Sequence, residues 1–191
     1  MRIFKFGGAS VKDADGIKNV FSVLEKVGHE DTLLVISAMG KTTNALELVI
    51  KNYFEKSNEL HASLQEVRKY HNQIVMDLFD DEEHDVFYAV NSHFADLEYF
   101  IRSNKSPNYN FVYDQVVSYG EIISTTIVSH YFNHAGLKNN WIDVRNFIKT
   151  NNNYRDAELD WEKTQQLISK GVKKKALNIT QGFLGSDENN F

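Results

Sequence analysis

Lys5, the glycine pair Gly7-Gly8 and the hydroxyl of Ser10 fall within six residues near the start of the chain. They are the first group whose types could do chemistry together. Glycines lack the Cβ that keeps a ligand away from the backbone, so their N–H groups can approach a phosphate closely. A helix opening just behind them adds about half a positive charge, and the lysine adds a full mobile one. The chemistry this points to is phosphate binding. The plainer alternative is a tight strand–helix turn with an exposed lysine, because the pattern is neither a Walker A loop nor a dinucleotide fingerprint. A second stretch, Ser37-Ala38-Met39-Gly40-Lys41-Thr42-Thr43-Asn44, is rich in small and hydroxylated residues. A third, Ser118-Tyr119-Gly120-Glu121, sets a carboxylate beside a glycine among apolar and small residues. Glycine inside a helix costs about 1 kcal/mol relative to alanine, which points to an element packed closely against it. Glu121 is then either an exposed glutamate on a mixed face or the partner of a cation.

The elements that must hold these groups follow from periodicity. Residues 1–4 alternate as a short strand with Lys5 closing it, and Ile17, Val20, Phe21 and Leu24 recur at helical spacing over 11–24. Thr32-Leu33-Leu34-Val35-Ile36-Ser37 is an apolar run too short for a helix and suited to a buried parallel strand. Strand, helix and strand make a βαβ unit, hence an α/β domain. The two small-residue loops then leave the carboxyl ends of neighbouring strands, the edge where open α/β sheets bind ligands. A helix from about Ala45 presents Leu46, Val49, Ile50, Tyr53 and Phe54. From 58 to 103 two amphipathic helices are predicted, on Leu60, Leu64, Val67, Ile74, Leu78 and on Val86, Val90, Phe94, Leu97, Ile101. The acidic run at 80–83 between them reads as a solvated turn and helix start, not as a metal site. His61, His71, His84 and His93 lack the spacing of zinc ligands and read as surface or packing residues. After a loop at 103–108, which holds the only proline, a helix is predicted over 114–132 with a stop at His134-Ala135-Gly136. Then come a strand over 137–143, turn material at 151–153, and a helix over 161–170 with Leu167 and Ile168 inward. A solvated basic entry at 173–175, a strand over 176–184 and a loop complete the chain.

Composition narrows the classes. The chain has 191 residues, 42% of them hydrophobic, enough for one domain or a lobe of a larger one with a sizeable core. A net charge of −5 gives no electrostatic reason to expect nucleic acid or an anionic membrane as partner. With no cysteine there is no disulfide framework and no thiolate metal site. No apolar run reaches the length of a membrane span, and the expected location is the cytoplasm.

Lys-Phe-Gly-Gly-Ala-Ser-Val at 5–11 resembles the opening signature of aspartokinases, which usually carry threonine where this chain has Ala9. The stretch 35–44 resembles that family's second loop, and Ser118-Tyr119-Gly120-Glu121 its Gly-Glu helix. Trp141-Ile142-Asp143-Val144-Arg145 and Thr180-Gln181-Gly182-Phe183-Leu184-Gly185-Ser186 follow in the same order. The resemblance runs along the whole chain. It implies an amino acid kinase-like α/β/α sandwich around a mainly parallel sheet, here with a helical segment at about 45–103.

It also implies an activity: ATP-dependent phosphorylation of the L-aspartate β-carboxylate to 4-phospho-L-aspartate, the first step towards lysine, threonine and methionine. Lys5 would neutralise the transferring phosphoryl group, with Gly7, Gly8 and Ser10 donating to its oxygens. Ser37 and Thr43 would place aspartate, and Glu121 would hold its ammonium group. Mg²⁺ is implied by ATP use, carried on the nucleotide's phosphates without a ligand set in the chain. A homo-oligomer is implied for the full-length protein. Family members continue into a Gly-Arg-Gly-Gly-Ser-Asp-type segment, most of the nucleotide-binding elements and regulatory ACT domains, none of which is present. Residues 1–191 therefore read as the amino-terminal, substrate-side part of the catalytic domain, inactive on its own, with an exposed sheet edge. Two alternatives stay open: another amino acid kinase, and a non-catalytic aspartate-binding or assembly module. A nicotinamide-dependent oxidoreductase is set aside because the Gly-x-Gly-x-x-Gly pattern is absent.

Overall fold

The computed structural model describes residues 1–81 and 83–189. Glu82 of the acidic run, and Asn190 and Phe191 of the expected terminal loop, lie outside the described residues. Four strands, β1 (Arg2–Phe6), β2 (Thr32–Ile36), β3 (Asn140–Ile142) and β4 (Leu177–Gln181), form one sheet in the order β1-β2-β4-β3. Every pairing is parallel. The helices are α1 (Ala14–Val27), α2 (Thr42–Phe54), α3 (Leu60–Leu78), α4 (Asp85–Ser103), α5 (Tyr109–His134) and α6 (Trp161–Gly171).

Handedness distributes the helices. The chain moves one way along the sheet from β1 to β2 and the opposite way from β3 to β4. Right-handed crossovers then put α1 and α6 on opposite faces. On the α1 face, Leu34, Ile36, Leu177 and Ile179 are buried under α1 and α5, with Ile17, Leu24, Ile127 and Phe132 in one core. Phe21 of α1 stacks edge-on against Phe132 of α5 at 5.5 Å between ring centroids. The α2–α4 helices extend this layer, as the apolar spacing of 45–103 predicts. The opposite face, with Leu33 and Val35, is only half covered, and Ile3 on the edge strand β1 is 67% exposed.

Several boundaries differ from the sequence reading, each for a local reason. Lys5 is not the last strand residue, since β1 pairs with β2 through Phe6. The helix does not open behind the glycine pair. A 3-10 turn, Gly8–Val11, intervenes, and α1 starts at Ala14 because the Asp13 carboxylate accepts from the Gly16 N–H at 2.8 Å. The α5 helix begins earlier than predicted, at Tyr109, where Asn108 caps it by accepting from the N–H groups of Asn110 and Phe111. Leu137 is not in a strand: its N–H closes the end of α5 on the Phe132 carbonyl at 2.7 Å. The last strand stops at Gln181, because the Gly182 N–H still reaches Ile36 O but Phe183 turns out at φ +66°. In α6 the buried residue is Thr164, whose hydroxyl accepts from the Lys149 N–H, while Ile168 is 39% exposed. The four histidines act as packing or surface groups: His61 is exposed, His71 is buried, His84 caps α4 and His93 meets Thr126.

Candidate active site

All four strands deliver their carboxyl ends to one edge, and a cavity of about 860 Å³ opens there. Its lining includes Lys5, Ser37, Thr43, Glu121, Arg145 and Gln181. Four sequence-predicted residues thus converge: Lys5 from β1, Ser37 just past β2, Thr43 from the first turn of α2 and Glu121 from the middle of α5. Gly7, Gly8 and Ser10 are not brought into the lining; they form the adjoining turn, with the Ser10 N–H bonded to Gly7 O at 2.9 Å. Among the described residues the Lys5 ammonium makes no hydrogen bond or ion pair, and the Ser37 and Thr43 hydroxyls make no hydrogen bond either.

The two loops are one unit. The Gly40 N–H donates to Gly8 O at 3.0 Å, and a Cβ on Gly8 would sit 2.5 Å from Ala38 O and 3.0 Å from Gly40 O. The second loop's backbone is therefore by itself a reason for glycine at position 8. Behind the loops, Tyr70 of α3 donates its hydroxyl to Lys12 O. Thr42 donates to Met39 O at 2.6 Å and meets His71 Nε2 at 3.3 Å.

Of the two alternatives left open by its sequence, Glu121 is not the exposed glutamate. It is 8% exposed, and Oε2 is buried without a hydrogen-bond partner. Burial raises its pKa to about 7, opposed in part by the backbone N–H of Ala38. This setting comes from Gly120, where an added Cβ would lie 3.0 Å from Ala38 Cβ and 3.4 Å from Thr42 Cγ2. The missing side chain lets α5 press against the second loop and carries Glu121 under the surface with it.

Arg145 and Gln181 were quoted in the sequence motifs without a role. Arg145 is held by Asp143, with Nε at 2.9 Å from Oδ1 and Nη2 at 2.6 Å from Oδ2. Burial pushes the Asp143 carboxyl up, but the Arg145 hydrogen bonds and charge outweigh it and hold it below the usual range. The acidic and basic residues two apart in Asp-Val-Arg are the only local signal for this pair. Gln181 gives no local signal, because its partners are distant in sequence. Among the described residues no group of three or more His, Cys, Asp or Glu could hold a metal ion, and no helix is long and apolar enough to cross a membrane.

Known proteins share this fold. The chain is 28% identical over 186 residues to bifunctional aspartokinase/homoserine dehydrogenase 2 of Escherichia coli (strain K12), covering 96% of this chain and 22% of that protein. It is 28% identical over 196 residues to aspartokinase 1, chloroplastic, of Arabidopsis thaliana, covering 96% of this chain and 33% of that one. It thus spans about a fifth to a third of the length of these relatives. The crystal structure of E. coli aspartokinase III in complex with lysine and aspartate superposes with a TM-score of 0.86 at 24% identity, covering 99% of this chain and 42% of that one. Its complex with aspartate and ADP gives 0.83 at 23% identity over the same shares. At those identities the likeness establishes the fold. The model of the amino acid kinase family matches residues 1–191, and this chain belongs to that family.

Proposed function

We propose that this chain forms the substrate side of an aspartate kinase, which transfers the γ-phosphoryl group of ATP to the β-carboxylate of L-aspartate. The observation that carries the reading is Glu121: a buried carboxylate with an unfilled acceptor, lining the cavity that also holds the unpaired Lys5. An amino acid's ammonium group would fill that acceptor and favour the ionised form, since an opposite charge lowers a pKa that burial alone has raised. Ser37 and Thr43 offer free hydroxyls beside it for the carboxylates. The curated relatives are aspartokinases, and the E. coli aspartokinase III structure holds aspartate and ADP, which supports the same ligands here.

The chemistry asks little covalent work of the protein. A carboxylate is already a competent nucleophile, so no general base is needed. Catalysis rests on positioning and charge neutralisation. Lys5 would lie against the transferring phosphoryl group, and the backbone N–H groups at Gly7 and Gly8 with the Ser10 hydroxyl would meet the neighbouring phosphate oxygens. Mg²⁺ would arrive on the nucleotide's phosphates, in keeping with a lining that has few carboxylates. The corresponding biological setting is cytoplasmic amino-acid biosynthesis leading to lysine, threonine and methionine, by an enzyme that acts as a homo-oligomer.

The test is an acyl-phosphate trap. The gene product that contains this chain is incubated with L-aspartate, MgATP and hydroxylamine, beside residues 1–191 alone. Aspartyl hydroxamate is expected from the former, lost in Lys5→Ala and requiring more aspartate in Glu121→Ala. ADP release with a different carboxylate and no aspartyl hydroxamate would overturn the substrate. Saturable aspartate binding without hydroxamate would overturn the kinase reading in favour of a binding module.

A further inference from the structure

The turn of α5 that carries Glu121 is tied to the sheet through one hydroxyl. Thr125 Oγ1 donates to Glu121 O at 2.9 Å, with Ile122 O at 3.1 Å, and accepts from Gln181 Nε2 at 2.7 Å and from Trp141 Nε1 at 3.0 Å. A hydroxyl has one proton and two lone pairs, so this one is fully used. Thr125 is 0% and Gln181 2% exposed. The Gln181 amide has one possible orientation, because its Oε1 accepts from the Val144 N–H at 2.8 Å, and that group can only donate. Next to Thr125, Ser124 donates to Ser37 O at 2.8 Å. The Glu121 turn is therefore fastened to β4 through Gln181, to β3 through Trp141 and to the loop after β2 through Ser124. A mid-helix threonine that needs only its own helix would bond back to the carbonyl four residues earlier and stop there. Here the oxygen collects two further donors from separate strands.

We infer that Thr125, with Gln181 and Trp141 as its donors, is the positioning residue that sets Glu121 in the cavity and so sets the site's preference for a substrate bearing an ammonium group. The second half of this statement rests on the reading of Glu121 as the ammonium ligand; the first half does not. Thr125 touches no substrate. It ties the Glu121 turn to β3 and β4, and a carboxylate moved out of its buried position regains hydration, which favours its ionised form.

The test separates the two halves. In the intact protein with carboxyl-¹³C glutamate, Glu121 is assigned by its loss in Glu121→Gln and titrated in wild type, Thr125→Val, Thr125→Ser and Gln181→Met. Val keeps the shape of threonine and removes the hub. Ser restores the hydroxyl, and Met, should Val fail to fold, removes one donor together with the acceptor of the Val144 N–H. The Glu121 midpoint is expected to fall by at least about one unit in Val and Met and to return in Ser. An unchanged midpoint in a folded Val or Met variant overturns the positioning role. Preference for L-aspartate over succinate, which lacks the amino group, is measured alongside and is expected to narrow about tenfold in Val but not in Ser. A general structural lesion would lower use of both substrates in parallel, leave the ratio intact and overturn the specificity role. A wild type with no preference would overturn the ammonium reading of Glu121 while the titration still decides Thr125.

Discussion

Two buried titratable side chains, Glu121 on α5 and His71 on α3, have opposite uses. His71 is 0% exposed with both ring nitrogens beside polar atoms: Nδ1 is 2.8 Å from Val67 O, and Nε2 is 3.3 Å from the Thr42 hydroxyl, whose proton is shared with Met39 O. Its ring packs edge-on against Phe94, and burial lowers its pKa to about 4. Glu121 is nearly as buried, yet one oxygen has no partner and the residue lines a cavity. A buried polar group with every bond filled belongs to the core. One with a bond to spare beside an opening costs stability and is kept for something that binds.

The sharpest way to break this comparison is by function. Lys5→Ala should lower kcat about 10²–10³-fold in the hydroxamate assay with little change in melting temperature, as expected for an exposed cation acting on developing charge. Glu121→Gln should raise the aspartate requirement by a comparable factor. His71→Ala should do the reverse, costing about 2–4 kcal/mol in urea unfolding and leaving the aspartate requirement of the folded protein unchanged. Activity lost in proportion to folded protein would fit; a selective rise in aspartate requirement would not.

The pH dependence of stability sharpens the contrast further. His71 favours its neutral form in the fold. The unfolded chain therefore takes up the proton first as pH falls from 6.5, and stability is lost towards pH 4. Glu121 favours its protonated form in the fold, so its contribution is present below 4.5 and is lost as pH rises through about 7. Each amounts to about 3 kcal/mol, with opposite slopes that overlap between pH 4.5 and 6.5. Unfolding of Glu121→Gln across pH 4–8 should uncover the His71 slope and show a variant more stable than wild type at pH 8. Identical profiles would break the assignment. The smallest effect belongs to a helix end away from either group: Asp13→Ala should cost about 1 kcal/mol by loss of the α1 cap, with the aspartate requirement unaffected.

Signals within a few residues of one another were readable in the amino-acid order. Lys5, the two small-residue loops, the βαβ unit and the apolar spacing of α2 to α4 depend on local periodicity and turn chemistry, and the parallel sheet follows from them. Gly120 was legible as a point of close packing, though not the fact that Ala38 and Thr42 do the packing or that Glu121 goes under with it. The reason for Gly8 lay in a loop thirty residues on. Thr125 reaches Gln181 across 56 positions, and no pattern in either segment announces the other. The Ile168 side of α6 misled because the half-covered sheet face offers it less cover than helical spacing implies.

The hydrogen bond from Gly40 to Gly8 has an energetic consequence. Because the two small-residue loops share a backbone contact, neither can shift without straining the other. Substitutions in the two loops should be non-additive in a double-mutant cycle, since each disturbs a surface the other helps to hold.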